Sequence, residues 1–152
     1  MLKRSNLRRL KAMVGREVGL SDWFTVTQER IDAFAECTKD RQWIHVDRER
    51  AAAGPLGGTV AHGFLLLSLV PHFNFTNEAF ALPFRMAVNY GLNRVRFPHT
   101  VRAGSRVRNR AVLKGLEKRG FRRVLLTVEN TLEVEGGDKP AMVAELLAMV
   151  FL

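Results

Sequence analysis

The sequence predicts an α+β protein in which a long antiparallel sheet wraps round a central apolar helix. Three observations carry this. Residues 61 to 73 are apolar on nearly every side of a helical wheel, as a helix covered by a sheet should be. After Pro83 the pattern changes to four strand-like segments, 85–97, 106–118, 120–134 and 142–152. Helices that precede a run of strands give an α+β architecture with an antiparallel sheet. At 152 residues the chain fits a single domain, 1–152, able to bury roughly 70% of its unfolded surface without a disulfide or metal.

The elements follow in order. Residues 1–14 are basic, with Leu7, Leu10, Met13 and Val14 on the inner side of a short amphipathic helix. Residues 18–27 mix Trp23, Phe24 and Val26 with polar neighbours and read as one strand. Thr27 is an N-cap, after which Ile31, Phe34 and Ala35 recur at helical spacing to about Thr38. Cys37 lies in that stretch and is expected to be a small core residue. Residues 39–59 form a long connection rich in charge and glycine, a length that marks function or short helical turns. Among the strands, Gly104, Lys118-Arg119-Gly120 and Gly136-Gly137-Asp138 mark turns.

Composition narrows the function. A lone cysteine forms no intrachain disulfide and suits a reducing, cytoplasmic setting. No run of about 20 apolar residues is present to span a membrane. The basic N-terminus is not followed by an apolar segment, so it does not read as a secretory signal. The net charge of +9 invites an anionic partner, with clusters at 3–11, 94–110 and 114–123. None is interleaved with an aromatic ladder, so no nucleic-acid ligand is expected. No set of His, Cys, Asp or Glu has metal-ligand spacing, so no metal is expected either.

Chemistry concentrates in two segments. Thr38-Lys39-Asp40-Arg41-Gln42-Trp43-Ile44-His45 places a carboxylate and an imidazole five positions apart at a helix exit. Such a pair can share a water molecule, the imidazole moving its proton near neutral pH. Spacing alone leaves open a mere surface polar pair. In Thr59-Val60-Ala61-His62-Gly63-Phe64, a glycine opens the apolar helix, where unpaired N–H groups face a ligand that can approach closely. A packing glycine is the plainer reading of Gly63.

Residues 34 to 64 resemble the hydratase motif of the MaoC-like dehydratase family, the (R)-specific enoyl-CoA hydratases. The motif runs from an apolar helix through an aspartate to a histidine five positions on, then to a His-Gly pair. Gln42-Trp43-Ile44-His45-Val46-Asp47 and Asn89-Tyr90-Gly91-Leu92-Asn93-Arg94-Val95-Arg96-Phe97 are similar to its nodulation-protein-N-like branch. The resemblance implies a hot-dog fold, a homodimer, and reversible hydration of trans-2-enoyl thioesters. It makes Asp40 and His45 the catalytic dyad, with the Gly63 N–H polarising the thioester carbonyl. Trp43, His62, Asn89 and Arg94 are the accompanying substrate-binding candidates. Arg96, Arg102 and Arg106 are further candidates for the phosphates of coenzyme A or of a carrier-protein arm. No cofactor is implied beyond the coenzyme A or phosphopantetheine of the substrate, and acyl carrier protein is the alternative bearer. Two departures stand out: Lys39 replaces the usual glycine before the aspartate, and Gln42-Trp43 replaces the familiar Asn-Pro. A hot-dog thioesterase and a non-catalytic acyl-CoA or anion-binding protein are the competing readings. Ser68, without a nucleophile-elbow context, is expected to be a satisfied core hydroxyl.

Overall fold

The structure is a computed structural model describing residues 4–75 and 86–151. The expected strand start at residue 85 and the first three residues of the N-terminal helix lie outside these. In chain order the elements are α1 (Arg4–Ala12), β1 (Glu17–Leu20), β2 (Phe24–Thr25), α2 (Gln28–Thr38), α3 (Trp43–Val46) and α4 (Arg48–Ala53). They are followed by α5 (Gly63–Ser68), α6 (Val70–Phe75), β3 (Met86–Arg96), β4 (Arg106–Lys118), β5 (Arg123–Val134) and β6 (Met142–Phe151).

The six strands form one sheet in the order β1-β4-β5-β6-β3, with β2 also paired to β4, and every pairing is antiparallel. The alternation on β4 shows how it is oriented. Val107, Asn109, Ala111 and Leu113 are buried, while Arg106, Arg108 and Arg110 face outward. Two apolar clusters fill the inner face. One gathers Leu65, Leu66, Leu69, Val70 and Phe73 of the central helix against Val101, Val107, Leu132 and Met142. The other packs Leu10 of α1 against Leu113, Val124, Leu126 and Val150, with Leu7 and Met13 alongside. Between them runs a buried amide chain. Asn109 Nδ2 donates to Asn74 Oδ1 and to Asn130 Oδ1, each at 3.0 Å, and Asn130 Nδ2 donates to Val128 O.

Four expectations change. The strand over 18–27 is broken in two, because Ser21 Oγ accepts the Asn109 N–H at 2.9 Å and takes a ladder position with its side chain. The central helix is two pieces meeting at Leu69; Pro71 has no N–H to offer Leu67 O. It is also not buried all round: Phe64 is 69% exposed, and Ser68, whose hydroxyl bonds Phe64 O at 2.7 Å, is exposed rather than core. Cys37 is exposed as well, since the buried stripe of α2 is Gln28, Ile31 and Ala35, and position 37 lies off it.

The Thr27 N-cap is present, its hydroxyl accepting from Arg30 N at 3.4 Å, and α2 ends at Thr38. Lys39 then adopts φ 65°, the left-handed conformation that favours glycine. A glycine here relieves a strain of about 1–2 kcal/mol, partly offset by the larger chain entropy of glycine. Lys39→Gly is therefore expected to stabilise the fold by about 0.5–1 kcal/mol. The denaturation midpoint should rise; an unchanged or lower midpoint contradicts this account.

Candidate active site

The site is assembled by one buried side chain on α2. The Gln28 amide donates to His45 O at 2.8 Å and to Asp32 Oδ1 at 2.7 Å, and accepts from the Thr59 hydroxyl. It thus ties α2 to the α3 turn and to the segment entering α5. That segment is held from both sides. Val60 N donates to Ile44 O at 3.0 Å, while Ala61 N donates to Val101 O and Ala103 N to Thr59 O. Buried backbone groups seldom go unpaired, so this strap leaves Val60 O as an acceptor in need of a donor.

His45 supplies it. Its Nδ1 lies 2.6 Å from Val60 O. A carbonyl only accepts, so Nδ1 carries the proton and the neutral ring keeps its lone pair on Nε2. His45 is 7% exposed. Burial pushes its pKa below 6.5, opposed by the Val60 bond, assisted by repulsion from His62 and opposed again by Asp40.

Asp40 follows the left-handed Lys39 at the exit of α2. Its main-chain N–H meets Thr38 Oγ1 at 3.4 Å and its Oδ1 meets the Gln42 N–H at 3.5 Å, an Asx-type turn. The carboxylate is about half exposed. Lys39 points away, paired with Glu36 at 2.5 Å, and Arg41 bonds the same Glu36. The unusual lysine therefore places no charge inside the site.

His62 joins these two. It is 3% exposed, stacks on the His45 ring at 3.7 Å between centroids with 23° between planes, and donates from Nε2 to Asp40 O at 2.9 Å. The Asp40 Oδ2 lies 3.9 Å from the same nitrogen. Phe34 closes the far side of the His62 ring at 5.1 Å, and His62 Nδ1 is buried without a partner among the described residues. Ligand-type atoms of Asp40, His45 and His62 all lie within 4.8 Å of one another. Sequence spacing pointed to no such cluster. Two of its nitrogens are engaged, His45 Nδ1 by Val60 O and His62 Nε2 by Asp40 O. The arrangement is suited to proton transfer: a half-solvated carboxylate beside a buried imidazole with a free lone pair.

Gly63 opens α5 directly after His62. A Cβ at this position would sit 3.1 Å from the Phe97 ring, a tight approach that a side chain could take only if the ring gave way by a few tenths of an ångström. The plain packing reading and the oxyanion reading of Gly63 are both compatible with that contact.

Other candidates stand apart from this centre. Trp43 stays within its own loop, packed over the Arg50 guanidinium at 4.4 Å and against Gly54. Phe97, just after β3, touches the Gly63 position, whereas Asn89 lies eight residues earlier, roughly 25 Å along an extended strand. Asn89 instead borders an apolar pocket of about 270 Å³ near the end of α6, with Pro71, Asn74, Leu126, Leu146 and Val150. Arg94 is exposed on β3, its backbone opposite Glu145. Arg106 is ion-paired with Glu135, and Arg102 lies against the Gly57 turn. Gln28 and Thr59 escaped the sequence reading. The signal for Gln28 was a polar residue on the apolar stripe it shares with Ile31 and Ala35.

Comparison with known proteins places the chain in a family. Residues 9–136 match the family model for the MaoC like domain. The chain is 53% identical over 139 residues to 3-hydroxyacyl-thioester dehydratase Z of Mycobacterium tuberculosis (strain H37Rv), covering 90% of this chain and 89% of that protein. It is 44% identical over 146 residues to nodulation protein N of Rhizobium leguminosarum bv. viciae, covering 95% and 91%. Among solved structures, the (R)-hydratase from A. caviae involved in PHA biosynthesis superposes with a TM-score of 0.71 at 21% identity, covering 89% of this chain and 94% of that one. A monoamine oxidase regulatory protein from Archaeoglobus fulgius gives 0.77 at 22%, covering 91% and 90%. These likenesses share the hot-dog architecture of a long antiparallel sheet round a helix. The chain is an enzyme that belongs to the MaoC-like dehydratase family.

Proposed function

We propose that this enzyme catalyses the reversible (R)-specific hydration of trans-2-enoyl thioesters, borne by coenzyme A or by an acyl carrier protein, through Asp40 and His45. The observation that supports it best is the His45 ring, locked by Nδ1–H to Val60 O so that Nε2 is a lone-pair acceptor beside the Asp40 carboxylate. In the hydration direction, the pair takes a proton from water as its oxygen forms a bond to C3. The C2–C3 π electrons move into the thioester carbonyl, giving an enolate. The enolate re-forms the carbonyl as C2 takes the proton back from the same pair, so all atoms of water are added and none is lost. The Gly63 N–H is the proposed donor to the enolate oxygen. No cofactor enters beyond the coenzyme A or phosphopantetheine of the substrate.

Within this reading Asn89 borders the space for part of the acyl chain and Arg94 is a candidate for a phosphate. His62 is a positioning residue, holding the Asp40 main chain and flanking His45. The similarity to 3-hydroxyacyl-thioester dehydratase Z supports the thioester class.

The proposed assembly is a homodimer. β3 is an eleven-residue edge strand whose Met86, Val88, Tyr90 and Leu92 are all exposed. A long apolar edge is a template for a further strand. Sedimentation should give twice the chain mass, and Leu92→Lys should shift it toward the monomer; a monomeric wild type removes this proposal.

Purified protein should consume crotonyl-CoA with loss of enoyl absorbance. Asp40→Asn and His45→Gln should each lower kcat by about 10²–10⁴-fold. Full activity in both variants would sink the dyad, and release of free thiol without hydration would favour a thioesterase.

The lowered pKa of His45 sets the sign of the pH response. Neutral His45 is the active base, and burial keeps it neutral below 6.5, so activity is full above that value and falls as pH drops through the depressed pKa. Stability follows the same sign, because the unfolded chain takes up the proton first. The acid limb of kcat/KM should have its midpoint below 6.5; a midpoint at or above it refutes the buried-base assignment.

A further inference from the structure

Two basic segments far apart in sequence are joined through one apolar cluster, which takes Leu7 and Leu10 from α1 and Leu116 and Val124 from either side of the β4–β5 turn. The turn that follows α1 is stitched to β4, with Gly15 N donating to Leu113 O at 2.7 Å and Leu113 N to Arg16 O at 3.1 Å. Leu7, Leu10 and Met13 face the sheet in the cluster that includes Leu113, Val124 and, at its margin, Leu116. The opposite side of α1 therefore carries Arg8, Arg9 and Lys11 outward, all exposed. Two residues beyond Leu116, the β4–β5 turn adds the exposed Lys118, Arg122 and Arg123.

Among the described residues, the acids nearest in sequence to these segments are already engaged. The first acid of the chain is Glu17, which is bonded to Arg110, and Glu117 is paired with Arg119 at 2.9 Å. At the tip of the turn stands Phe121, 89% exposed, between Gly120 at φ 89° and Arg122 at φ 59°. The ring stands clear of the sheet, with Arg119 and Arg122 within two residues of it in sequence.

We propose that this end of the molecule is a docking surface for an anionic lipid bilayer, with Phe121 entering the headgroup region. The form of the surface selects this partner. A single ring on a convex turn offers neither the contiguous apolar patch that seats on a protein nor a ladder of aromatics that stacks bases. A bilayer interface accepts one isolated aromatic without shape complementarity, while basic residues within about 10 Å of anionic headgroups are attracted at 0.1 M salt. Within one protomer the surface is remote from the site. Val107 packs in the cluster behind Ala61 and Leu65, and Lys118 lies eleven residues further along β4, roughly 35 Å.

Co-sedimentation of the full chain with vesicles tests this without reference to the reaction catalysed. The protein should pellet with phosphatidylcholine vesicles carrying roughly 30% phosphatidylserine at about 0.1 M salt, and not with phosphatidylcholine alone. Lys118→Glu should weaken partitioning roughly tenfold and Phe121→Ser roughly fivefold. Lys139→Glu makes the same change of net charge in the β5–β6 turn and should leave binding within about twofold. Unchanged melting temperatures show that the variants fold. Equal losses for Lys118→Glu and Lys139→Glu overturn the proposal in favour of general charge. No vesicle binding, with retention instead on an oligonucleotide or an acidic carrier protein, overturns it in favour of those partners.

Discussion

A hydrogen bond between a buried imidazole and a main-chain carbonyl, His45 Nδ1 to Val60 O, joins the fold to its chemistry. The segment 59–61 is paired on one side with Val101 and Ala103, and on the other with Ile44. Its remaining carbonyl is buried, and leaving it unpaired would cost about 1–3 kcal/mol. The bond that removes this cost also selects the His45 tautomer and leaves Nε2 as the acceptor. Gln28 secures the same region from α2, so three segments distant in sequence share one polar joint. The chemistry of the site and the local stability of the loop are thus one constraint.

Charge is arranged differently on the two sides of the sheet. On the outer face Glu133 bonds Arg108 and Arg110, and Arg110 also reaches Glu17. Partial burial works against ionisation of Glu133, but the two guanidinium hydrogen bonds outweigh it and hold its pKa below the usual range. Much of the arginine on β4 is therefore neutralised by neighbours, while exposed basic residues stand on α1 and at the β4–β5 turn. On the inner face the polar groups are amides instead. Asn109 and Asn130, 2% and 0% exposed, join the two apolar clusters without burying a net charge, which is the less costly way to place polarity in a core.

Local rules reached far into the structure. The period-two runs located all four long strands, the 3.6 period located α2, and the Thr27 cap set its start within a residue. They misplaced whatever depended on a partner remote in sequence. Ser21 breaks its strand because Asn109 lies opposite, and Cys37 is exposed because α2 meets its neighbours along positions 28, 31 and 35.

The sequence by itself determined the α+β order, the segments that bear the chemistry, and the motif that pairs an aspartate with a histidine five positions on. Those features are local, being encoded in periodicity and spacing within a few turns of chain. Only the tertiary structure decided that His62 stacks on His45, that Gln28 braces the joint, and that Lys39 points to solvent while its backbone turns left-handed. It also decided that Asn89 borders a pocket away from the dyad, and that Leu7 and Leu10 share one apolar cluster with Leu116 and Val124. Lys39 aside, whose partner Glu36 is three residues away, the physical reason is shared: these contacts join positions about 15 to 120 residues apart, and their geometry exists only once the sheet has closed round the helix.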